Sequence, residues 1–307
     1  MKILVIGATG LLGQDLCKHL CGTKHLIGWA RRIPKGNPDL AHMLLEPLDM
    51  TDGNAVRRGI ERHEPDVVIL TAAASDVDAC EKDPTMAYET NARAVETVGT
   101  ACSRSGALLM AVSTDYVFDG AIGRPYTETD STNPINAYGR SKLEGERFAF
   151  SSTANSLVIR VSGLFGAGRA NFVSGAINGF RNGTPVKVVT DQINSPSYTT
   201  DLAKGIGKLL EILDRDREAV LKGRLPRILH LANSGGASRL QVVQEISKML
   251  DAGESLIEKT SWTLLNRPAK RPEDTRLNSG LFEEITGFKM RGWKEALQDF
   301  LQILVTD

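Results

Sequence analysis

The sequence predicts an α/β fold: a doubly wound parallel sheet followed by a smaller, mixed C-terminal substrate lobe. Apolar, β-branched runs alternate with helical segments through the first half of the 307 residues, as in parallel sheets covered on both faces. The first run, Lys2–Ile6, leads directly into Gly7, Gly10 and Gly13. A strand, a glycine-rich turn and a helix in this order are typical of a dinucleotide-binding Rossmann domain.

The composition narrows the class of partner. Basic and acidic residues number 37 each, so the formal net charge is zero and neither a nucleic acid nor a membrane surface is an expected partner. No apolar run is long enough to cross a membrane, and the N-terminus lacks a secretory pattern, so we expect a cytoplasmic protein. The four cysteines and five histidines show no metal-ligand spacing, so we expect no metal site.

The glycine-rich turn predicts where a cofactor phosphate binds. Glycine permits the tight turn, allows backbone amides to approach a pyrophosphate, and removes the Cβ where the next helix meets the strand. That helix, predicted over Leu11–Cys21, would direct its N-terminal amides and partial positive charge at the phosphate. An isolated glycine-rich turn is also common as a purely structural turn, and its position here favours the dinucleotide interpretation.

The end of the second predicted strand, His25–Ala30, bears on the choice of cofactor. In NAD-binding folds an acidic residue near this point holds the ribose 2′-hydroxyl, whereas an arginine suits a 2′-phosphate. Here Arg31 and Arg32 follow the strand and no acidic residue does. We therefore predict NADPH, with NADH possible; a solvated basic turn is the alternative.

Further strands and helices alternate as far as residue 160. Small or polar residues follow several of the strands, where ligands bind in open α/β sheets. The predicted strands are Leu44–Pro47, Val67–Leu70, Leu108–Val112 and Leu157–Arg160, and the predicted helices run from Thr51 or Asp52 toward His63, from Thr85 to Ser105, and from Tyr138 to Phe150.

The second half is less regular and is predicted to form the smaller lobe. We place a dinucleotide-binding domain at 1–165 and a substrate lobe at 166–307, with the chain returning to the first domain around 186–232. A loop from Arg267 to Pro272 carries cations that suit a substrate diphosphate or simply solvent. The predicted elements here are helices at Asn171–Asn182, Leu202–Leu213, Leu240–Leu250 and Trp293–Val305 and strands at Val186–Val189 and Ile228–Leu231.

Three residues form a candidate catalytic set. Tyr138 and Lys142 lie on one face of a helix, and Thr114 follows the strand that precedes it. A phenol has a pKa near 10, which a nearby ammonium group would lower. Tyr138 is then a candidate general acid for a carbonyl oxygen that receives a hydride, with Thr114 hydrogen-bonded to that oxygen. Alone, the Tyr and Lys spacing is usually just a surface pair.

Together these motifs resemble the extended short-chain dehydrogenase/reductase superfamily, and within it the dTDP-4-dehydrorhamnose reductases. The resemblance runs nearly end to end. It rests on the glycine turn, the segments 113–120 (STDYVFDG) and 138–142 (YGRSK), Val77 to Glu81 with Pro84, Asn91, Asp191-Gln192 with Pro196, and Arg271-Pro272 through Asn278.

The resemblance implies a reductase that binds a nucleotide-linked sugar and NADPH, with a homodimer possible. It makes Thr114, Tyr138 and Lys142 catalytic, and Lys142 also a ligand of the nicotinamide ribose. The implied substrate contacts are Thr114, Asp115, Tyr116, Gly163 and Arg271. The implied cofactor contacts are Gly7, Thr9, Gly10, Leu11, Leu12, Gly13, Arg31, Arg32, Asp49, Met50, Ala73, Ala74, Ser75, Tyr138 and Lys142.

One departure concerns the sugar pocket. The rhamnose enzymes carry Arg-Thr-Ser-Trp where this chain reads Arg160-Val-Ser-Gly163, so we expect a wider pocket beside Gly163 and a sugar other than the rhamnose precursor.

Two rival functions stay open. A dehydratase or epimerase with bound NAD is disfavoured because dehydratases of this superfamily place a glutamate where Tyr116 stands. A non-catalytic NADP-binding subunit, similar to the β subunit of methionine adenosyltransferase, is disfavoured by the intact Thr114, Tyr138 and Lys142.

Overall fold

The computed structural model describes residues 1–22, 25–33, 40 and 43–306. Seven parallel strands form the main sheet in the order β11-β6-β5-β4-β1-β2-β3. The predicted α/β class and parallel sheet are confirmed. The strands are β1 (Lys2–Ile6), β2 (His25–Ala30), β3 (Leu44–Pro47), β4 (Val67–Leu70), β5 (Leu108–Thr114), β6 (Ser156–Val161) and β11 (Ile228–His230).

Helices cover both faces of this sheet, which explains why the central strands consist almost wholly of buried apolar residues. One apolar cluster joins the sheet to α1 and α8, and a second joins the opposite face to α2 and α5. The helices of this layer are α1 (Leu11–Leu20), α2 (Gly53–His63), α3 (Val77–Lys82), α4 (Pro84–Tyr88), α5 (Ala94–Ser105), α6 (Ala137–Ser152) and α8 (Thr199–Arg215).

The single helix predicted over 85–105 is wrong in detail. Helix α3 precedes it, capped by the Asp76 carboxylate, which accepts from the amides of Asp78 and Ala79 at 3.0 Å each. Asp83 then caps α4 ahead of Pro84. A π-helical turn at Glu89–Arg93 separates α4 from α5. Side-chain caps and a π-helical turn therefore divide the segment into shorter helices. The spacing of apolar residues in the sequence predicts neither feature.

Most of the rest of the chain builds smaller units around a third apolar cluster, whereas α10 packs through Phe282 against the first cluster. Its short strands pair as β7 with β10, β8 with β13 and β9 with β12. No helix in the described residues is long and apolar enough to cross a membrane. The elements are β7 (Leu164–Phe165), α7 (Phe172–Arg181), β8 (Val186–Val189), β9 (Ile193–Asn194), β10 (Ser197–Tyr198), β12 (Ala237–Ser238), α9 (Arg239–Met249), β13 (Ile257–Thr260), α10 (Gly280–Thr286) and α11 (Trp293–Thr306).

Candidate active site

The glycine turn after β1 brings backbone unusually close to backbone. Gly7 has φ +95°, and its amide donates to the Trp29 carbonyl at 2.8 Å. A Cβ on Gly13 would lie 2.0 Å from the Gly7 carbonyl oxygen, so only glycine fits at that position. Helix α1 begins after Gly10 without a side-chain cap, which leaves its first amides available to a ligand. This cradle fits a dinucleotide pyrophosphate.

The other predicted cofactor residues follow β1, β2, β3 and β4. Arg31 and Arg32 are exposed beyond the end of β2, and the Thr9 hydroxyl donates to the Arg32 carbonyl at 3.4 Å. Ala73 and Ser75 are exposed after β4, and Ala74 is half-buried. Leu11 is half-buried, whereas the side chains of Leu12 and Met50 belong to the apolar core, so these two have only backbone groups to offer a cofactor.

Asp49 lies beside Arg31 at this end of the sheet. Its carboxylate accepts from the Thr51 amide at 3.0 Å and from the Thr51 hydroxyl at 2.8 Å. These two hydrogen bonds, with Arg31 adding to them, hold the pKa of Asp49 below its ordinary value. Thr51 therefore holds the Asp49 carboxylate by hydrogen bonds, whereas Arg31 acts on it only through its charge.

Thr114 and Tyr138 meet where β5 ends and α6 begins. Burial raises the pKa of the Tyr138 phenol, and a hydrogen bond with the Thr114 side chain opposes that shift. The Tyr116 ring packs edge to face against the Tyr138 ring, with centroids 5.7 Å apart. The expectation of a lowered Tyr138 pKa is wrong for this structure, because burial outweighs the effects that oppose it and the pKa is raised.

Lys142 lies against the sheet. Its ammonium group donates to the Val112 carbonyl at 2.8 Å, and burial lowers its pKa to about 8. Glu146, one turn further along α6, opposes that shift. The Glu146 carboxylate is itself held by Arg160, at 2.9 and 2.7 Å, and by the Ser113 hydroxyl at 2.5 Å. A buried polar network therefore fixes the face of α6 that carries both candidate catalytic groups.

The Asp115 carboxylate is buried and hydrogen-bonded within the chain. Its carboxylate accepts from the hydroxyls of Ser162 at 2.7 Å, Thr275 at 2.5 Å and Thr114 at 3.0 Å. Burial raises its pKa, and these three hydrogen bonds oppose the shift. Asp115 thus joins the ends of β5 and β6 to the C-terminal segment and orients the Thr114 hydroxyl.

Arg271 is held by a carboxylate. Its guanidinium binds Asp78 at 2.7 and 2.9 Å and also donates to the Ala269 carbonyl at 2.7 Å. Exposed Arg267 reaches the same carboxylate at 3.5 Å. The Arg271 cation predicted to meet a substrate diphosphate is therefore neutralised within the chain.

The prediction of open space beside Gly163 is wrong. Gly163 has φ +56°, and a Cβ there would lie 2.9 Å from the Ser195 carbonyl oxygen and 3.0 Å from Asn194 Oδ1. An aromatic side chain at this position would need a different backbone as well as more room. Residues 194 and 195, not a widened pocket, occupy the space next to Gly163.

Two polar residues in this region carry interactions that the sequence did not assign. The Asn91 side chain accepts from the Ala74 amide at 2.8 Å and donates to the Ala74 carbonyl at 2.9 Å and to Ser141 Oγ at 3.0 Å. The Arg239 guanidinium acts on Tyr116 through its charge, which opposes the rise that burial causes in the Tyr116 pKa. A Ser238 and Gln241 capping box signals the helix that begins at Arg239, but nothing in the local sequence links Arg239 to Tyr116.

Comparisons with known proteins agree with this arrangement. The family model for the RmlD substrate binding domain matches residues 1–306. The spore coat polysaccharide biosynthesis protein SpsK of Bacillus subtilis is 32% identical over 98% of this chain and 97% of its own. The dTDP-4-dehydrorhamnose reductase of Mycolicibacterium smegmatis is 34% identical over 99% of this chain and 86% of its own.

Solved structures are similar over the whole chain. A dTDP-4-dehydrorhamnose reductase from Clostridium acetobutylicum has a TM-score of 0.83 at 32% identity, covering 99% of this chain and 100% of that one. The dTDP-4-dehydrorhamnose reductase of Bacillus anthracis, solved in complex with NADP, has a TM-score of 0.81 at 29% identity, covering 98% and 99%. With its glycine cradle and its Thr, Tyr and Lys at the ends of neighbouring elements, this chain belongs to the RmlD substrate binding domain family, within the extended short-chain dehydrogenase/reductase fold.

Proposed function

We propose that the protein uses NADPH to reduce the 4-keto group of a nucleotide-diphosphate-linked sugar, in the manner of a dTDP-4-dehydrorhamnose reductase. The observation that carries the proposal is the meeting of Thr114 and Tyr138 at the carboxyl end of β5, on the same edge of the sheet as the glycine cradle. Relatives bearing the reductase name, similar over nearly their whole length, support it.

Tyr138 would give a proton to the sugar oxygen as that oxygen becomes an alkoxide. Burial favours this role, because a phenol whose pKa is raised stays protonated at neutral pH and can donate. The Thr114 hydroxyl, oriented by Asp115, would hydrogen-bond the same oxygen. Lys142 would hold the nicotinamide ribose from its position beside Val112.

The cofactor, when bound, supplies the hydride. The amides of the first turn of α1, from Leu11 onward, would hold its pyrophosphate, and Arg31 with Arg32 would hold the 2′-phosphate. NADPH is therefore expected to bind more tightly than NADH, although NADH stays possible. The NADP-bound relative from Bacillus anthracis supports the choice.

The substrate would lie between the sheet domain, 1–165, and the lobe, 166–307. Strand β11 in the main sheet and α8 against α1 support the proposal that the chain returns to the first domain within 186–232. A homodimer and a cytoplasmic location remain predictions.

The test is NADPH oxidation assayed over a panel of nucleotide-linked 4-keto sugars that includes dTDP-4-dehydrorhamnose. We expect at least one to be reduced. Binding of NADPH without oxidation by any member would contradict the proposal and favour the regulatory-subunit alternative, which copurification with a methionine adenosyltransferase would support. Loss of water from a sugar nucleotide with NAD retained would instead indicate a dehydratase.

A further inference from the structure

Arg239 is held on both sides at the start of α9. Strand β12 pairs antiparallel with β9, and the Arg239 amide donates to the Gln192 carbonyl at 3.2 Å. The guanidinium carbon lies 4.5 Å from the centroid of the Phe172 ring, and Nε donates to Gln192 Oε1 at 3.3 Å. Stacking on an aromatic face fixes the plane of the guanidinium and leaves its edge to donate hydrogen bonds.

This cation lies next to the candidate proton donor. The Arg239 charge acts on Tyr116, where it opposes the rise that burial causes in the pKa of that phenol. The Tyr116 ring in turn packs against the Tyr138 ring, with 5.7 Å between centroids. One aromatic ring therefore separates the guanidinium from the residue proposed to protonate the sugar C4 oxygen. In a hexose the anomeric carbon lies across the ring from C4, so a diphosphate begins one sugar ring away from the reacting carbonyl.

Charge distinguishes Arg239 from its basic neighbours. Arg271 and Arg267 share the Asp78 carboxylate, whereas within the described ranges no carboxylate forms an ion pair with Arg239. Burial lowers the pKa of Arg239, and Arg267 and Arg271 push it in the same direction. A partly buried cation without an anion is costly, so this one is suited to a partner that arrives with the substrate.

We infer that Arg239, and not Arg271, binds the diphosphate of the sugar nucleotide and so positions the sugar carbonyl at Tyr138. The inference rests on the proposed function. A planar guanidinium with free donors matches phosphate oxygens better than an ammonium group does. Gln192 and Phe172 orient the cation, and Tyr116 connects it to the reacting end of the site.

The test measures dTDP and thymidine binding to the NADP-saturated protein by calorimetry, with UDP as a second diphosphate. A charge-assisted contact with phosphate predicts that Arg239→Gln weakens dTDP binding about ten- to a hundredfold and leaves thymidine and NADPH binding unchanged. Arg239→Lys, which keeps the charge, should lose less and serves if the Gln variant unfolds. In turnover, Arg239→Gln should raise KM for the keto sugar nucleotide far more than it lowers kcat.

Arg267→Gln is the matched control, because it removes the same charge from an exposed neighbour and should weaken dTDP binding much less. If Arg239→Gln and Arg267→Gln weaken dTDP binding equally, the effect comes from the overall positive charge of the region, and the specific role of Arg239 is overturned. If both Arg239 variants bind dTDP as tightly as wild type does and still reduce keto sugars, the inference is overturned while the proposed function stands. If wild type binds neither dTDP nor UDP and reduces no keto sugar, both fail.

Discussion

A single phenol carries most of the proposed chemistry, and its surroundings suit a donor better than a base. Burial, together with the neighbouring Asp115 and Tyr116, raises the pKa of Tyr138, and the Thr114 side chain opposes that shift. The sequence indicated the pair of Tyr138 and Lys142 but misjudged its electrostatics, since the depth of burial depends on segments distant in the chain.

Tyr138→Phe is expected to lower kcat by about 10²–10⁴-fold, because it removes the proton donor and keeps the ring. The affinity for NADPH, measured by fluorescence titration, should not change. Tyr198→Phe is the control, since that ring stacks on Phe165 within the third apolar cluster and its loss of a hydroxyl should leave turnover intact. Normal turnover in Tyr138→Phe would remove this residue from the mechanism.

The lowered pKa of Lys142 should make the stability of the cofactor-free protein depend on pH. Burial lowers its pKa from 10.5 to about 8, so between these values the unfolded chain binds the proton and the folded chain does not. The Lys142 contribution to the free energy of unfolding therefore rises as the pH rises through this window.

The measurement is urea unfolding of wild type and Lys142→Met at pH 7.5 and 9.5. The difference, wild type minus variant, should grow by about 1–2 kcal/mol between the two pH values. A difference that stays flat or shrinks would show that the Lys142 amine is not desolvated as the structure has it.

At the scale of elements, α6 and the π-helical turn Glu89–Arg93 decide where the reactive groups lie. Asn136 caps α6 through the Gly139 amide, and Lys142 and Glu146 follow Tyr138 at intervals of four residues on the buried face. The π-helical turn holds the Asn91 side chain, which clasps Ala74 and Ser141 and so ties the loop after β4 to α6.

Asn91→Ala should therefore lower the free energy of unfolding by about 2–4 kcal/mol, because it removes three hydrogen bonds and leaves the Ala74 amide without its partner. NADPH affinity should fall as well, since Ala74 lies in the predicted cofactor loop. Asn133→Ala is the control: it loses one exposed hydrogen bond to Asp119, at 3.0 Å, and should cost less than about 1 kcal/mol. Equal costs for the two variants would contradict the clasp.

The sequence predicted the main-sheet strands to within two residues, because a buried strand bounded by glycine or polar residues is a local signal. It could not predict which distant group each polar side chain meets. Asp115 binds Thr275, 160 residues away, and Asp78 binds Arg271, 193 residues away. Gly163 illustrates the same limit, since the space beside it is set by Asn194 and Ser195, which come next to it only in the folded chain.

For the molecule as a whole, the sheet order and a few long-range polar contacts hold the C-terminal segment over the site. Asp78, on α3, binds Arg271, and Asn136 donates to the Lys270 carbonyl at 2.9 Å. Asp115 binds Thr275. The loop 267–272 is thus fixed at both ends by side chains of the sheet domain. If Arg271 serves this loop rather than a substrate anion, breaking its ion pair should loosen the loop before it affects nucleotide binding.

Asp78→Asn tests that expectation by limited trypsin digestion. Within 267–272 the bonds after Arg267 and Arg271 precede proline, which trypsin does not cleave, so Lys270–Arg271 is the one susceptible bond. Loss of a charge-assisted pair should raise the opened fraction of the loop, and hence the rate of this cleavage, by about tenfold or more. Asp83→Asn, which removes the same charge but keeps a good helix cap, should leave the rate unchanged. Mass mapping of the fragments identifies the bond; unchanged cleavage in Asp78→Asn, together with weaker dTDP binding, would return Arg271 to the role of an anion ligand.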